Sequence, residues 1–267
     1  MSRGDYRVIL EGRMKRLLLI IGIWLISATS EELSKIGQGF LVLGNWNLAL
    51  DYFEKAIEQN PRYASAWYGK GVALCQLGKY EPGLEAMDEA LRLSPKNYDY
   101  LYGKGVCYEW RGEDYWQEAE AYYKKAIELA PNNAQLFHKL ASLYQRQHNY
   151  QDAIPLYKKA IAIDPNYYIS YNNLGACYLA LNQPKQAVEL YQQAIIRGNN
   201  PSQYHFYHHL GIAWLAEGNL EQAKSSFIIE TAQNPDFVDA HLNLGNIYLL
   251  EKNYLRALEE YQIVILL

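Results

Sequence analysis

Prolines recur along this chain at Pro61, Pro95, Pro131, Pro165, Pro201 and Pro235, at intervals of 34, 36, 34, 36 and 34 residues. A period of that length means that one supersecondary unit has been copied, and no other feature of the sequence restricts the fold as much. A small residue stands about 24 positions before each proline, and once more near the end: Gly37, Gly71, Gly105, Ala141, Gly175, Gly211 and Gly245. Twelve residues later, fourteen in the third copy, comes a second one: Ala49, Gly83, Ala119, Ala153, Ala187, Ala223 and Ala257. Large side chains are tied to both. Three after the first stand Phe40, Leu74, Tyr108, Tyr144, Tyr178, Trp214 and Tyr248; four after the second stand Phe53, Met87, Tyr123, Tyr157, Tyr191, Phe227 and Tyr261.

Spacings of three, four and seven mark one face of a helix, so each copy reads as two helices of about 14 residues. The turns between them are short and contain glycine or asparagine, as in Leu77-Gly78-Lys79 and Glu217-Gly218-Asn219. Short connections force the two helices into an antiparallel hairpin. The glycine or alanine of one helix lets the partner backbone approach, and the facing bulky side chain fills the remaining gap. Proline then ends the second helix, because it has no amide for the helical ladder. A lone hairpin cannot bury both of its faces, so neighbouring copies must stack.

These copies resemble the tetratricopeptide repeat. The second carries Trp67, Gly71, Leu74, Tyr80, Met87, Ala90 and Pro95. The fourth carries Phe137, Leu140, Ala141, Tyr144, Tyr150, Ala153, Tyr157, Ala160 and Pro165. The resemblance runs from Ser30 to Leu267 and implies an all-α, right-handed α-solenoid of about seven repeats: 30–63, 64–97, 98–133, 134–167, 168–203, 204–237 and an incomplete 238–267. It also implies a non-catalytic scaffold that binds a protein or peptide without a cofactor, the first helix of each hairpin lining a concave ligand surface. The matching positions are Lys35, Gln38, Tyr68, Tyr102, His138, Lys139, Asn172, Asn173, His205, His208, His209, Asn243 and Asn246. Family members that clamp a chaperone's terminal carboxylate use lysine and asparagine where Ser34 and Gln38 stand, so that clamp is not expected. Members that grip extended peptides through an asparagine ladder are matched at Asn173 and Asn243, with Gly69, Gly103, Lys139 and His209 as interruptions. The expected ligand is therefore an extended segment held by Asn173, Asn243 and a Tyr68/Tyr102 patch.

Other functions find little support. A net charge of −4 with both signs interspersed offers no basic footprint for nucleic acid. There is no phosphate loop, no GxSxG and no HExxH, so no enzyme is expected. Glu85, Asp88 and Glu89, like Glu118 and Glu120, read as solvated helix faces. His205, His208 and His209 would share one face of a helix, as a metal site, a pH-responsive patch or ordinary polar surface. No carboxylate or thiol at a fitting spacing completes a ligand set, so no metal is expected. The 25 tyrosines, against 6 phenylalanines, fall largely on interhelical packing positions. Cys75, Cys107 and Cys177 are odd in number and form no CxxC pair, and read as small buried hydrophobes without a disulfide framework or zinc site.

The ends raise separate expectations. Leu17 to Ile26 is an apolar run preceded by Arg13, Lys15 and Arg16 and followed by Ser27-Ala28-Thr29-Ser30. Residues 1–29 thus read as a signal peptide or short anchor, with translation starting at Met14; a packed N-terminal helix is the alternative. The run is shorter than the ~20 apolar residues of a spanning helix. This places the array in a periplasm, lumen or envelope, with membrane contact through residues 17–28; the alternative is a cytoplasmic protein. Three free thiols sit awkwardly with an oxidising compartment. Residues 261–267 are apolar and uncapped, which suggests either a fragment or a face for self-association or a partner. The scaffold would then be an assembly factor for an envelope or membrane complex, or an oligomerising module of a longer protein.

Overall fold

The computed structural model of the chain describes residues 28–198 and 204–267. The Leu17–Ile26 run, Met14 and Pro201, which closes the second of the 36-residue intervals, lie outside the described residues. Those described form helices and no strand: α1 (Ser30–Val42), α2 (Trp46–Gln59), α3 (Ala64–Gln76), α4 (Tyr80–Leu93), α5 (Tyr98–Arg111), α6 (Trp116–Leu129), α7 (Ala134–Arg146), α8 (Tyr150–Ile163), α9 (Tyr168–Ala180), α10 (Pro184–Arg197), α11 (Phe206–Glu217), α12 (Leu220–Gln233), α13 (Val238–Leu250) and α14 (Tyr254–Leu266). Consecutive helices pair as hairpins. They belong to two compact units, one ending at Leu129 and the other running from Ala130 to Leu267. Within each unit the second helix of a hairpin packs on the first helix of the next.

The inner turns follow from local chemistry. After α3, the Gly78 amide bonds to the Cys75 carbonyl and the Lys79 amide to the Leu74 carbonyl, at 3.0 and 2.9 Å, which closes the helix end. That closure needs one left-handed residue. Gly44, Gly78 and Gly218 supply it, with φ of 72°, 74° and 85°, and His148, Asn182 and Lys252 adopt it without being glycine, at 58°, 55° and 59°. The next residue often starts the second helix: the side chains of Asn45, Asn219 and Asn253 accept from Leu48, Gln222 and Arg256 amides. In the third hairpin the connection is longer by two residues and holds a short 3-10 turn, Glu113–Tyr115, after Gly112 at φ 131°.

Packing within hairpins is close. A Cβ on Gly105 would meet the Tyr123 ring at 2.7 Å and the Ala119 carbonyl oxygen at 3.2 Å. Gly175 and Gly211 are pressed in the same way by Tyr191 and Phe227. The outer turns are braced from the fourth residue of the following helix. Trp67, Tyr171 and His241 each donate to the carbonyl of the proline six residues earlier, at 2.8, 3.2 and 3.0 Å.

The cysteines correct the sequence reading. Cys75 on α3 and Cys107 on α5 form a disulfide, and only Cys177, which is buried, is free. No CxxC is needed, because stacking brings residues 32 apart in the chain to a Cα separation of 5.7 Å. At the other end, α14 buries only Ala257, and Leu255, Leu258, Ile265 and Leu266 are exposed. No described helix is long and apolar enough to cross a membrane.

Candidate functional site

The first helices form a layer of their own: α1 touches α3 and α3 touches α5 in one unit, as α7, α9 and α11 do in the other. Its polar side chains are held from behind by tyrosines of the second helices. Tyr123 donates its hydroxyl to Glu109 at 2.6 Å. Tyr157 donates to Gln145 at 2.6 Å and accepts from the Asn173 amide at 3.2 Å. Tyr191 donates instead to the backbone carbonyl of Asn172 at 3.3 Å, and Tyr261 to the Asn246 side-chain oxygen at 2.8 Å. The rings fill the gap left by the facing small residue, and the hydroxyl emerges beyond it. Burial pushes the Tyr157 and Tyr191 hydroxyls well above the ordinary phenol range, so they stay protonated donors. Phe53, Met87 and Phe227 occupy the same register and fill space without donating.

The other expected contacts divide by unit. In the first, Lys35 is exposed and paired with Glu31 at 2.6 Å, and Gln38 donates to the Ser65 hydroxyl at 3.4 Å. Tyr68 stacks on Tyr100 at 4.7 Å and covers Gly103, where a Cβ would lie 2.4 Å from its ring. Tyr102 tilts against Tyr123 at 5.9 Å. In the second unit Lys139 is half-buried, and Asn172 donates to the Tyr204 carbonyl at 3.1 Å while its own side-chain oxygen is buried without a partner. Asn243 donates back to the Asp239 carbonyl of its own helix at 2.8 Å.

The histidines depart from expectation. His138, expected on the ligand surface, is buried: its Nδ1 lies 2.9 Å from the Ser170 hydroxyl and its ring abuts Tyr157 and Tyr167. Burial, with a smaller contribution from Lys139, lowers its pKa to about 4. His205 is not on a helical face with its neighbours. It is the left-handed residue that starts α11, φ 52°, stacked on Phe237 at 4.0 Å. Its Nδ1 sits 2.7 Å from Glu230, and the backbone amide of buried His208 donates to the other carboxylate oxygen at 3.1 Å. His209 stacks on Tyr191 at 5.6 Å, and burial, then His208 and His205, bring it to about 4.

Two residues of this arrangement escaped the sequence reading. Glu230 stands where other copies have Ala56, Ala90, Ala126, Ala160 and Ala194, all fully buried, and it is fully buried too. A carboxylate in an alanine register was the available signal. Gln145 shares the register of Glu109, twelfth in its helix, and that equivalence would have found it. Among the described residues no group of side chains is arranged to hold a metal ion.

Two sequence profiles, each described as tetratricopeptide repeat, match the chain: one over residues 99–166 and 133–195, the other over 35–81 and 208–265. This chain is a tetratricopeptide-repeat protein. Solved structures agree on the fold. YrrB, a TPR protein with an unusual peptide-binding site, is 22% identical, with a TM-score of 0.55 over 70% of this chain and 95% of that one. MamA residues 41 to the end, from Desulfovibrio magneticus RS-1, is 22% identical, with a TM-score of 0.53 over 62% and 93%. The Cut9–Hcn1 hetero-tetramer structure of APC/C is 17% identical, with a TM-score of 0.59 over 89% and 46%. No curated protein matches. The repeats make this tetratricopeptide-repeat chain a scaffold for protein–protein interaction.

Proposed function

We propose that the first-helix layer of the second unit grips an extended segment of a partner polypeptide. The observation that carries this reading is the bracing of Gln145, Asn173 and Asn246 by the hydroxyls of Tyr157 and Tyr261. An amide held in one rotamer loses less entropy when it bonds a peptide backbone, so a braced row binds better than a free one. Asn173 uses one of its hydrogen-bonding groups on Tyr157, and Asn243 one on its own helix. Each keeps further donor and acceptor capacity. His138 and His208 take no part, being packed inside. Taken by itself, the first unit presents Tyr68 and Tyr102, aromatic surface of the kind that binds apolar side chains at small entropic cost.

The test is photo-crosslinking in the producing cells from position 176, an exposed alanine between the braced residues. Asn173→Ala combined with Asn243→Ala should lower crosslinked partner at least fivefold with little change in helicity. Equal yield from the double variant refutes the reading.

A second reading rests on α14. Leu255, Leu258, Ile265 and Leu266 are 77%, 55%, 81% and 85% exposed on the last helix, an apolar surface larger than scattered residues require. It suits self-association. Sedimentation of the full chain separates the readings: a discrete oligomer broken by Leu258→Lys supports association, and a monomer at every concentration rules it out.

A further inference from the structure

We propose that Cys75–Cys107 is a structural disulfide that closes while the first unit folds, and that this chain therefore folds in a disulfide-forming compartment such as a periplasm or lumen. The inference is independent of the peptide reading.

Its geometry belongs to the repeat. Cys75 is the twelfth residue of α3 and Cys107 the tenth of α5, neighbours in the first-helix layer with Cα atoms 5.7 Å apart. Both are essentially inaccessible, at 2% and 0% exposure, in a cluster with Leu84 and Met87, against which Tyr68 and Tyr108 pack. A Cβ on Gly83 would lie 2.6 Å from the Cys75 sulfur, so the hairpin backbone itself closes over it. Exchange requires in-line approach of a thiolate to one of the two sulfurs. The folded unit gives no such approach. The bond therefore forms before packing is complete and is shielded afterwards.

Cys177 shows why only one pair forms. It is the tenth residue of α9, the register of Cys107, but the twelfth residue of α7 is Gln145, already bonded to Tyr157. Burial pushes the Cys177 thiol up to about 11, which keeps it protonated and unreactive. The third thiol is no obstacle to an oxidising environment.

The step balances with a small-molecule disulfide as oxidant. The Cys75 thiolate attacks one sulfur, forming a mixed disulfide and releasing the first thiolate. The Cys107 thiolate then attacks the Cys75 sulfur and expels the second. Two cysteine thiols are oxidised, one disulfide is reduced to two thiols, and the two cysteine protons end on the products. A buried bond of this kind persists in secreted proteins and is rare in reducing cytosol.

The test uses the full chain taken from the cells that make it, acid-quenched, denatured and alkylated before and after reduction. Mass spectrometry should count one alkyl group before reduction and three after, with one fragment joining the Cys75 and Cys107 peptides. Any other count before reduction overturns the proposal. Folded oxidised protein should also lose the bond to millimolar glutathione at least a hundredfold more slowly than protein in denaturant. Comparable rates would show that the bond is not shielded and overturn closure during folding.

Discussion

Acid should loosen the second unit and spare the first. All six histidines lie at or beyond His138, so residues 28–129 contain none. His138 and His209 are brought from 6.5 to about 4 by burial, and His208 is lowered by the same cause. A buried imidazole resists protonation, so between those two values the unfolded chain binds more protons than the folded one. The resulting stability is complete above about pH 6.5 and is lost as the pH falls towards 4. With about 1.4 kcal/mol per pH unit, each of the two costs the fold roughly 2–3 kcal/mol by pH 4.5. Together they remove about 5 kcal/mol, much of the ~5–15 kcal/mol typical of a domain. Hydrogen exchange at pH 7 and 4.5, corrected for intrinsic rates, should show protection lost in α7, α9 and α11 while α3 and α5 keep theirs. His138→Phe with His209→Phe should flatten the response. Equal loss in both units, or an unchanged response in the double variant, would refute the assignment to buried imidazoles.

Two further outcomes follow from the packing. Gly105→Leu drives a side chain into Tyr123 and the Ala119 carbonyl, and should cost about 1–3 kcal/mol or more by chemical denaturation; unchanged stability would contradict the approach of α5 to α6. Gln145→Cys should pair with Cys177, because these positions repeat the register of Cys75 and Cys107. Stabilisation of up to about 3 kcal/mol is expected. A variant that retains two free thiols after oxidation would show that α7 and α9 do not share the α3–α5 spacing.

The YrrB and MamA likenesses, near one residue in five identical, speak for the fold only. At four of the seven positions where the register asks only for bulk, this chain carries tyrosine. Tyr123, Tyr157 and Tyr261 spend their rings on interhelical packing and their hydroxyls on Glu109, Gln145 and Asn246. The tyrosine surplus thus joins core and candidate binding surface in single residues. Replacing one by phenylalanine separates the two roles.

The helices, their pairing and the contact of Gly105 with Tyr123 were readable from the chain, because each depends on spacings of three or four residues that recur in every copy. Repetition turned weak local preferences into one consistent register. Partnerships between copies were not readable in that way. His138 with Ser170, Asn172 with Tyr204 and Cys75 with Cys107 each join residues 32 apart. Such pairs depend on how far one hairpin is shifted against the next, a distance set by side-chain volumes at the contact and not by any local pattern. A histidine therefore looked like surface and proved to be core, and two cysteines looked like hydrophobes and proved to be bonded.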